Sequence, residues 1–284
     1  IGAIGVWRLV RPIGGGRSRA VAFLVYLSVP LPYDALREGR LTPLAIYALL
    51  PWLAKRMAVS QGVSPYGSIG GQPGPGIKER SLLTNGLLTG LLLALGIALD
   101  PVFLIPFLTI FLGLFAGSLL SGKTIGINRL LKSFYLSIGV ATLLHFPLII
   151  DLLTGRSASS LIGFEAWRKG TLGPSGIFNL DTGSFTNSSF TWTLLIVAVF
   201  ALVFGKEKHL FLGVRSWLII IFGFFTVWFA DQGWWPGRTP EEETLFVPVA
   251  VGLAWASAIA TAGIGSDLAD PNPKKLYLRR ISIG

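Results

Sequence analysis

The chain has 284 residues, of which 52% are hydrophobic and 13% are charged, and its mean hydropathy is +0.65. Soluble domains carry about 25% charged residues, so this composition excludes an ordinary soluble domain and indicates a polytopic membrane protein. The absence of cysteine excludes disulfides and thiolate chemistry, and the net charge of +10 is better explained by basic loops beside anionic lipid than by nucleic acid.

The chain opens on IGAIGVWRLVRP, an apolar run that is followed by Arg8 and Arg11. A signal peptide has its charges before the apolar run, so this stretch is not typical of one. We interpret it as the last turns of a membrane helix, and we expect the chain to be a piece of a longer protein.

Eight apolar segments then predict an all-α protein with about six to eight spans, since a helix needs roughly 20 apolar residues to cross a bilayer. They are 20–33, 41–54, 82–99, 101–121, 133–153, 190–204, 216–231 and 244–263. The first two are short and could instead form a helical hairpin or interfacial helices. Asp100-Pro101 predicts a tight turn, and the Gly-, Pro- and Ser-rich stretch 60–80 predicts a flexible loop.

The charges divide this single transmembrane domain, 1–284, into two faces. Loops 1–19, 55–80, 122–132, 205–215 and 264–284 hold 18 of the 24 Lys and Arg residues, so the positive-inside rule places them in the cytoplasm of a multi-pass plasma-membrane protein. The other face, with the long loop 154–189, collects ten of the 14 acidic residues: Asp34, Glu38, Asp100, Asp151, Glu165, Asp181, Asp231, Glu241, Glu242 and Glu243.

Residues 30–56 contain a charged knot between two apolar segments: Asp34, Arg37, Glu38 and Arg40. Tyr33 and Trp52 indicate that the knot lies at the depth of a membrane interface. A carboxylate there could act as a general base or bind substrate, and arginine suits bidentate contacts to phosphate. Solvated acids paired with arginines are the competing interpretation for each position taken alone.

Other outer positions extend the candidate site. Asp100 lies at the predicted turn, and Asp231 lies at the end of its span. Arg168 falls in the long loop, and Trp234 and Trp235 could stack on a sugar ring or form an interfacial aromatic belt. Residues 117–124 fit the P-loop pattern, but no strand precedes them, so we interpret them as a helix end.

Several stretches resemble the membrane region of large actinobacterial envelope glycosyltransferases. They are LPYDALREGRLTPLAIYALLPWL, ALDPVFLIPFLTI, LLHFPLIIDLL, FNLDTGSF and DQGWWPGRTPEEETLFVPVAVGLAWASAIATAGIGSDL. Proteins of that family resemble GT-C glycosyltransferases, and some members also carry a cytoplasmic family-2 glycosyltransferase domain.

The resemblance implies transfer of a sugar from a polyprenyl-phosphate donor to a cell-envelope glycan at the outer face. Asp34, Asp100 and Asp231 are then the candidate catalytic acids, with Arg37, Glu38, Arg40, Arg168, Trp234 and Trp235 as substrate-binding candidates. Membrane lipids are expected partners and nucleic acid is not. A divalent cation, Mg²⁺ or Mn²⁺, could help the arginines hold the donor phosphate, although we assign no metal ligand. The alternative is a non-catalytic scaffold, anchor or transporter subunit for envelope assembly.

Overall fold

The computed structural model describes residues 1–77, 81–122, 124–147, 150, 172–182, 188–203, 207–234 and 240–268. Of these residues 81% are helical, and the one extended pairing among them is an isolated bridge between Val63 and Ile69. The prediction of an all-α protein is therefore confirmed.

The helices follow one another closely along the chain. In order they are α1 (Gly2–Val10), α2 (Gly16–Ser28), α3 (Leu31–Arg37), α4 (Leu41–Gln61), α5 (Leu82–Leu99), α6 (Leu104–Leu120), α7 (Ile127–Leu144), α8 (Gly173–Phe178), α9 (Ser188–Val203), α10 (Glu207–Asp231) and α11 (Glu242–Leu268). Short 3₁₀ turns, Pro101–Phe103 and Thr124–Gly126, precede α6 and α7.

Four stretches in the described part of the chain are long and apolar enough to cross a membrane: Leu82–Leu99, Pro101–Leu120, Leu210–Asp231 and Glu242–Ile264. They correspond to four of the eight predicted segments. Segment 20–33 divides between α2 and α3, whereas segment 41–54 lies in the longer helix α4.

The ends of these helices follow local chemistry. Ser81 accepts a hydrogen bond from the Thr84 N–H at the start of α5, and Pro101 disfavours helical geometry at Asp100, where α5 stops. The Asp100 Oδ1 then accepts from the Val102 N–H at 2.8 Å, which caps the next turn. The structure thus has the tight connection predicted at Asp100-Pro101.

Helix α11 lies at the centre of the bundle, because 89% of its apolar window is buried. A helix that is apolar on all sides belongs either in a protein core or in a membrane, and most of α11 is buried by its neighbours. Helix α5 is different: a row of leucines four residues apart stays exposed and forms a surface suited to lipid, namely Leu83, Leu87, Leu91, Leu95 and Leu99.

Glycines allow the surrounding helices to approach closely, as is common in membrane proteins. A Cβ at Gly223 of α10 would lie 2.5 Å from Val249 Cγ2 of α11. A Cβ at Gly113 of α6 would lie 2.8 Å from the Ile219 backbone N and Cα of α10.

Chain direction brings the helix termini together in two groups. We call the group formed by the starts of α4 and α11 and the ends of α5 and α10 the acidic end. The group formed by the ends of α1, α4 and α6 and the starts of α5 and α7 is the basic end. Contacts across each group are direct: Arg40 bonds Glu243 at the acidic end, and Gln61 bonds Ser118 at the basic end.

The predicted loop 60–80 is confirmed over 62–77, which contains turns and bends but no helix, although its start shifts by two residues. Helix α4 continues to Gln61 and ends at Gly62, whose φ of +71° is the left-handed geometry that glycine accepts readily. Beyond it Tyr66 is 1% exposed, donates a hydrogen bond to the Leu9 carbonyl at 2.8 Å and meets the Trp255 ring edge-on. This buried aromatic fixes the glycine-rich segment.

Other predicted loop boundaries also shift. Helix α7 begins within 122–132, and α10 begins within 205–215, so Arg215 is a helical residue that is 2% exposed and not a loop cation. The apolar pattern alone does not predict that Arg215 is helical, because this arginine interrupts the apolar run and the predicted segment begins at residue 216. Gly117 lies within α6, which is inconsistent with a P-loop.

We expect Gly113→Ala to lower the free energy of unfolding by about 1–3 kcal/mol, because the added methyl group would press on the Ile219 backbone and force α6 and α10 apart. Thermal denaturation of the purified protein in detergent measures the effect. Gly139→Ala in α7 is the matched control: nothing lies within 4 Å of its Cβ, so the Tm should stay equal or rise slightly. Equal losses from both variants would contradict the close packing.

Candidate functional site

Arg40 is the centre of the acidic end. It immediately precedes α4, and its Nη1 donates to Oε1 and Oε2 of Glu243 at 2.8 and 2.9 Å. Its Nη2 pairs with Glu38. The Glu243 carboxylate is 2% exposed, so Arg40 neutralises a charge that could not otherwise be buried at the start of α11.

Two further carboxyl groups lie beside this ion pair. Partial burial raises the pKa of Asp100, although the Val102 N–H opposes the shift. Burial also raises the pKa of Glu241; Asp100 and Glu38 add to the increase, while Arg40 opposes it. The Glu241 Oε2 is buried and accepts no hydrogen bond within the described part of the chain. Both groups are therefore carboxyls that exchange a proton nearer to neutral pH than an ordinary acid does.

Asp34 and Asp231 hold the two ends of segment 172–182. The Leu172 N–H donates to Asp231 Oδ1 at 2.6 Å, and the Thr182 hydroxyl donates to Asp34 Oδ2 at 2.9 Å. Asp34 is 1% exposed. The segment carries α8 between these bonds, so two of the three predicted catalytic acids fasten a surface segment to α3 and α10.

The remaining predicted residues fall into two groups. Arg37, at the end of α3, is exposed, and Trp234 is exposed beyond the end of α10, where its ring meets Trp228 and Phe229 edge-on. Arg168 and Trp235 lie outside the described residues. The structure thus brings Glu38 and Arg40 together with Glu243, and it places Asp100 close enough to Glu241 to raise the pKa of that group.

Glu241 and Glu243 are not among the residues predicted individually for the site. The available signal was the run of three acids directly before the apolar segment 244–263. Burying an acidic side chain at the start of a membrane span costs free energy unless a partner neutralises it. The local sequence of α11 does not reveal that partner.

A divalent cation does not fit the residues seen here. In the described ranges no three His, Asp or Glu residues are placed to hold a metal ion, and the Arg40 guanidinium occupies the centre of the acids. Arg40 supplies the positive charge that a cation would bring, so we derive no step through a metal.

Comparison with protein-family models, with curated proteins and with solved structures gives no match.

Arg40→Gln is expected to lower the free energy of unfolding by about 3–5 kcal/mol, because it leaves the Glu243 carboxylate buried without its partner. Adding Glu243→Gln should recover most of the loss, which a double-mutant cycle in detergent would measure. Arg37→Gln removes an equal charge from an exposed position and should change stability by less than about 0.5 kcal/mol. Failure of the second substitution to rescue the first would argue against the ion pair.

Glu241→Gln should raise the Tm at pH 7. The pKa of Glu241 is higher in the folded protein than in the unfolded chain, so the folded protein binds the proton more tightly. Stability of the wild type then falls as pH rises from the unfolded pKa, about 4.3, through the folded pKa. Tm measured against pH should show the advantage of the variant at pH 7 and its disappearance below about pH 4. A lower Tm for the variant at pH 7 would contradict the raised pKa.

Proposed function

We propose that this chain is part of a GT-C-like membrane glycosyltransferase with about six to eight spans. It would move a sugar from a polyprenyl-phosphate donor to a cell-envelope glycan at the outer face of the plasma membrane, with the basic loops in the cytoplasm. The observation that carries the proposal is the acidic end itself. Proton-exchanging carboxyls lie beside a fixed arginine at one end of an apolar bundle, where a lipid-linked phosphate would also lie.

In this proposal a carboxylate of the acidic end acts as the general base for sugar transfer. The acceptor hydroxyl oxygen attacks the anomeric carbon of the donor sugar, the bond from that carbon to the phosphate oxygen breaks, and the hydroxyl proton passes to a carboxylate. Glu241 suits this role best, because one of its oxygens is buried without a partner and its pKa is raised. Asp100 is the second candidate, since it also has a raised pKa and lies close to Glu241.

The arginines bind the departing polyprenyl phosphate. Arg40 is held in place by Glu243, and its contact to the more exposed Glu38 is the one that a phosphate oxygen would replace. Arg37 is exposed one turn away and offers a second guanidinium. Trp234 presents an exposed ring on which a sugar could stack. In this proposal Asp34 and Asp231 position segment 172–182, because their oxygens bond Thr182 and Leu172.

A non-catalytic scaffold or anchor is the second candidate. It is favoured by the saturation of Arg40, whose two terminal nitrogens already contact two carboxylates. Under this alternative the acidic end only clamps α4 to α11, and sugar transfer occurs elsewhere in the assembly.

A measurement of sugar-transfer activity distinguishes the transferase from the scaffold or anchor. Membrane vesicles carrying the protein, supplied with a labelled polyprenyl-phosphate sugar and envelope glycan, should lose about 10²- to 10⁴-fold in rate with Glu241→Gln, the range expected for a general base. Asp34→Asn should retain most activity, because an amide oxygen can still accept from Thr182. Full activity in Glu241→Gln and Asp100→Asn would favour the scaffold. A deep loss confined to Asp34→Asn would return the role of base to Asp34.

A further inference from the structure

The basic end contains a small cavity that the proposed transfer does not use. Its volume is about 50 Å³, and a water needs roughly 10–15 Å³ of such space, so it has room for a few waters or one small polyatomic group. We call it the Arg129 pocket; its lining comprises Val59, Ser60, Gly62, Tyr66, Gly67, Ser68, Leu82, Asn85 and Arg129.

The lining carries positive charge and no acid. Arg129, in the first turn of α7, lies against Gly62, where a Cβ would be 2.7 Å from the Arg129 Nη1. Glycine at 62 thus leaves room for the guanidinium. Asp, Glu and His do not occur among the lining residues. Such a pocket attracts an anion and repels a metal ion.

Asn85 is the second, independent sign of a ligand. It lies on α5 and is 3% exposed, yet its side-chain Oδ1 has no hydrogen-bond partner. A buried amide oxygen with no partner is costly. The N–H groups of the same amide are donors that this part of the lining can offer to an anion.

A third contribution lies behind the Tyr66 wall. Arg215 is buried, and its partners among the described residues are the Ser118 hydroxyl at 2.9 Å and the Phe211 ring at 3.7 Å. It forms no ion pair there, and its charge lies close enough to Tyr66 to interact with that side chain. A cation without an ion-pair partner adds to the positive charge of the basic end.

The geometry points to a phosphate-binding site in the Arg129 pocket, formed by Arg129 and the Asn85 amide with Ser60 and Ser68 at its edges. A compact oxyanion matches the single guanidinium, the amide and the hydroxyls. Leu82 lines the pocket, and Leu83 beside it is exposed on the surface suited to lipid, so the phosphate can belong to an anionic lipid headgroup or be free in solution. This inference does not depend on the proposed transferase activity.

The test compares lipid and soluble phosphate on the same variants. The protein is placed in nanodiscs of phosphatidylcholine with increasing phosphatidylglycerol, and separately in phosphatidylcholine alone with inorganic phosphate. Tm and retained lipid, by native mass spectrometry, are recorded. We expect saturable stabilisation that weakens at least about tenfold in apparent affinity with Arg129→Gln, the loss of one hydrogen bond to a charged group.

Lys132→Gln is the matched control, because it removes the same charge from an exposed position one turn further along α7 and outside the lining. Asn85→Asp is the complementary variant: it keeps the shape of the side chain, adds a negative charge to the pocket wall and should abolish binding. A response only to phosphatidylglycerol identifies a headgroup, and one only to inorganic phosphate identifies a soluble anion. No saturable response, or equal losses from Arg129→Gln and Lys132→Gln, would overturn the site.

Discussion

The burial of Glu243 against Arg40 is the constraint on which the acidic end depends. Helix α11 is surrounded by protein, yet it begins with acids, and a carboxylate there needs a fixed cation. The cation comes from Arg40, 203 residues earlier, so the knot after α3 must lie over the start of α11. Asp100 and Glu241 lie close to each other in this partly buried region. Burial is the main cause of their raised pKa values, and Arg40 opposes the shift at Glu241.

The two ends of the bundle handle charge in opposite ways. At the acidic end, Arg40 contacts carboxylates, and burial makes the neighbouring Glu241 hold its proton more tightly despite Arg40. At the basic end, Arg129 lines an acid-free cavity, and the described residues give Arg215 only a hydroxyl and an aromatic ring. The arginine of the acidic end is therefore paired with carboxylates of the chain. Arg129 and Arg215 at the basic end have no carboxylate partner among the described residues.

Composition and spacing were enough to predict the long helices, because Leu-rich runs and the Asp100-Pro101 break determine α5 and α6 locally. The knot was also recognisable, since four charges between apolar walls are unusual. The partners of those charges were not: Thr182 lies 148 residues from Asp34, and no local pattern joins them. The burial of Tyr66 was not predictable either, since the glycines and prolines around it are typical of a loop and give no sign of a buried ring. Long-range packing decides both cases.

Asp231 and Asp34 hold segment 172–182 through two hydrogen bonds whose donors differ in kind. The donor at Leu172 is a backbone N–H, which every residue except proline supplies. The donor at Thr182 is a hydroxyl, which only serine could replace without changing the bond much. The hydrogen bond itself therefore restricts the side chain at Thr182 but not at Leu172, where packing against the core is the remaining constraint, and both acceptors must keep an oxygen. The hydrogen bond at residue 182 thus depends on the side chains of both Thr182 and Asp34. The one at residue 172 depends on a single side chain, that of Asp231.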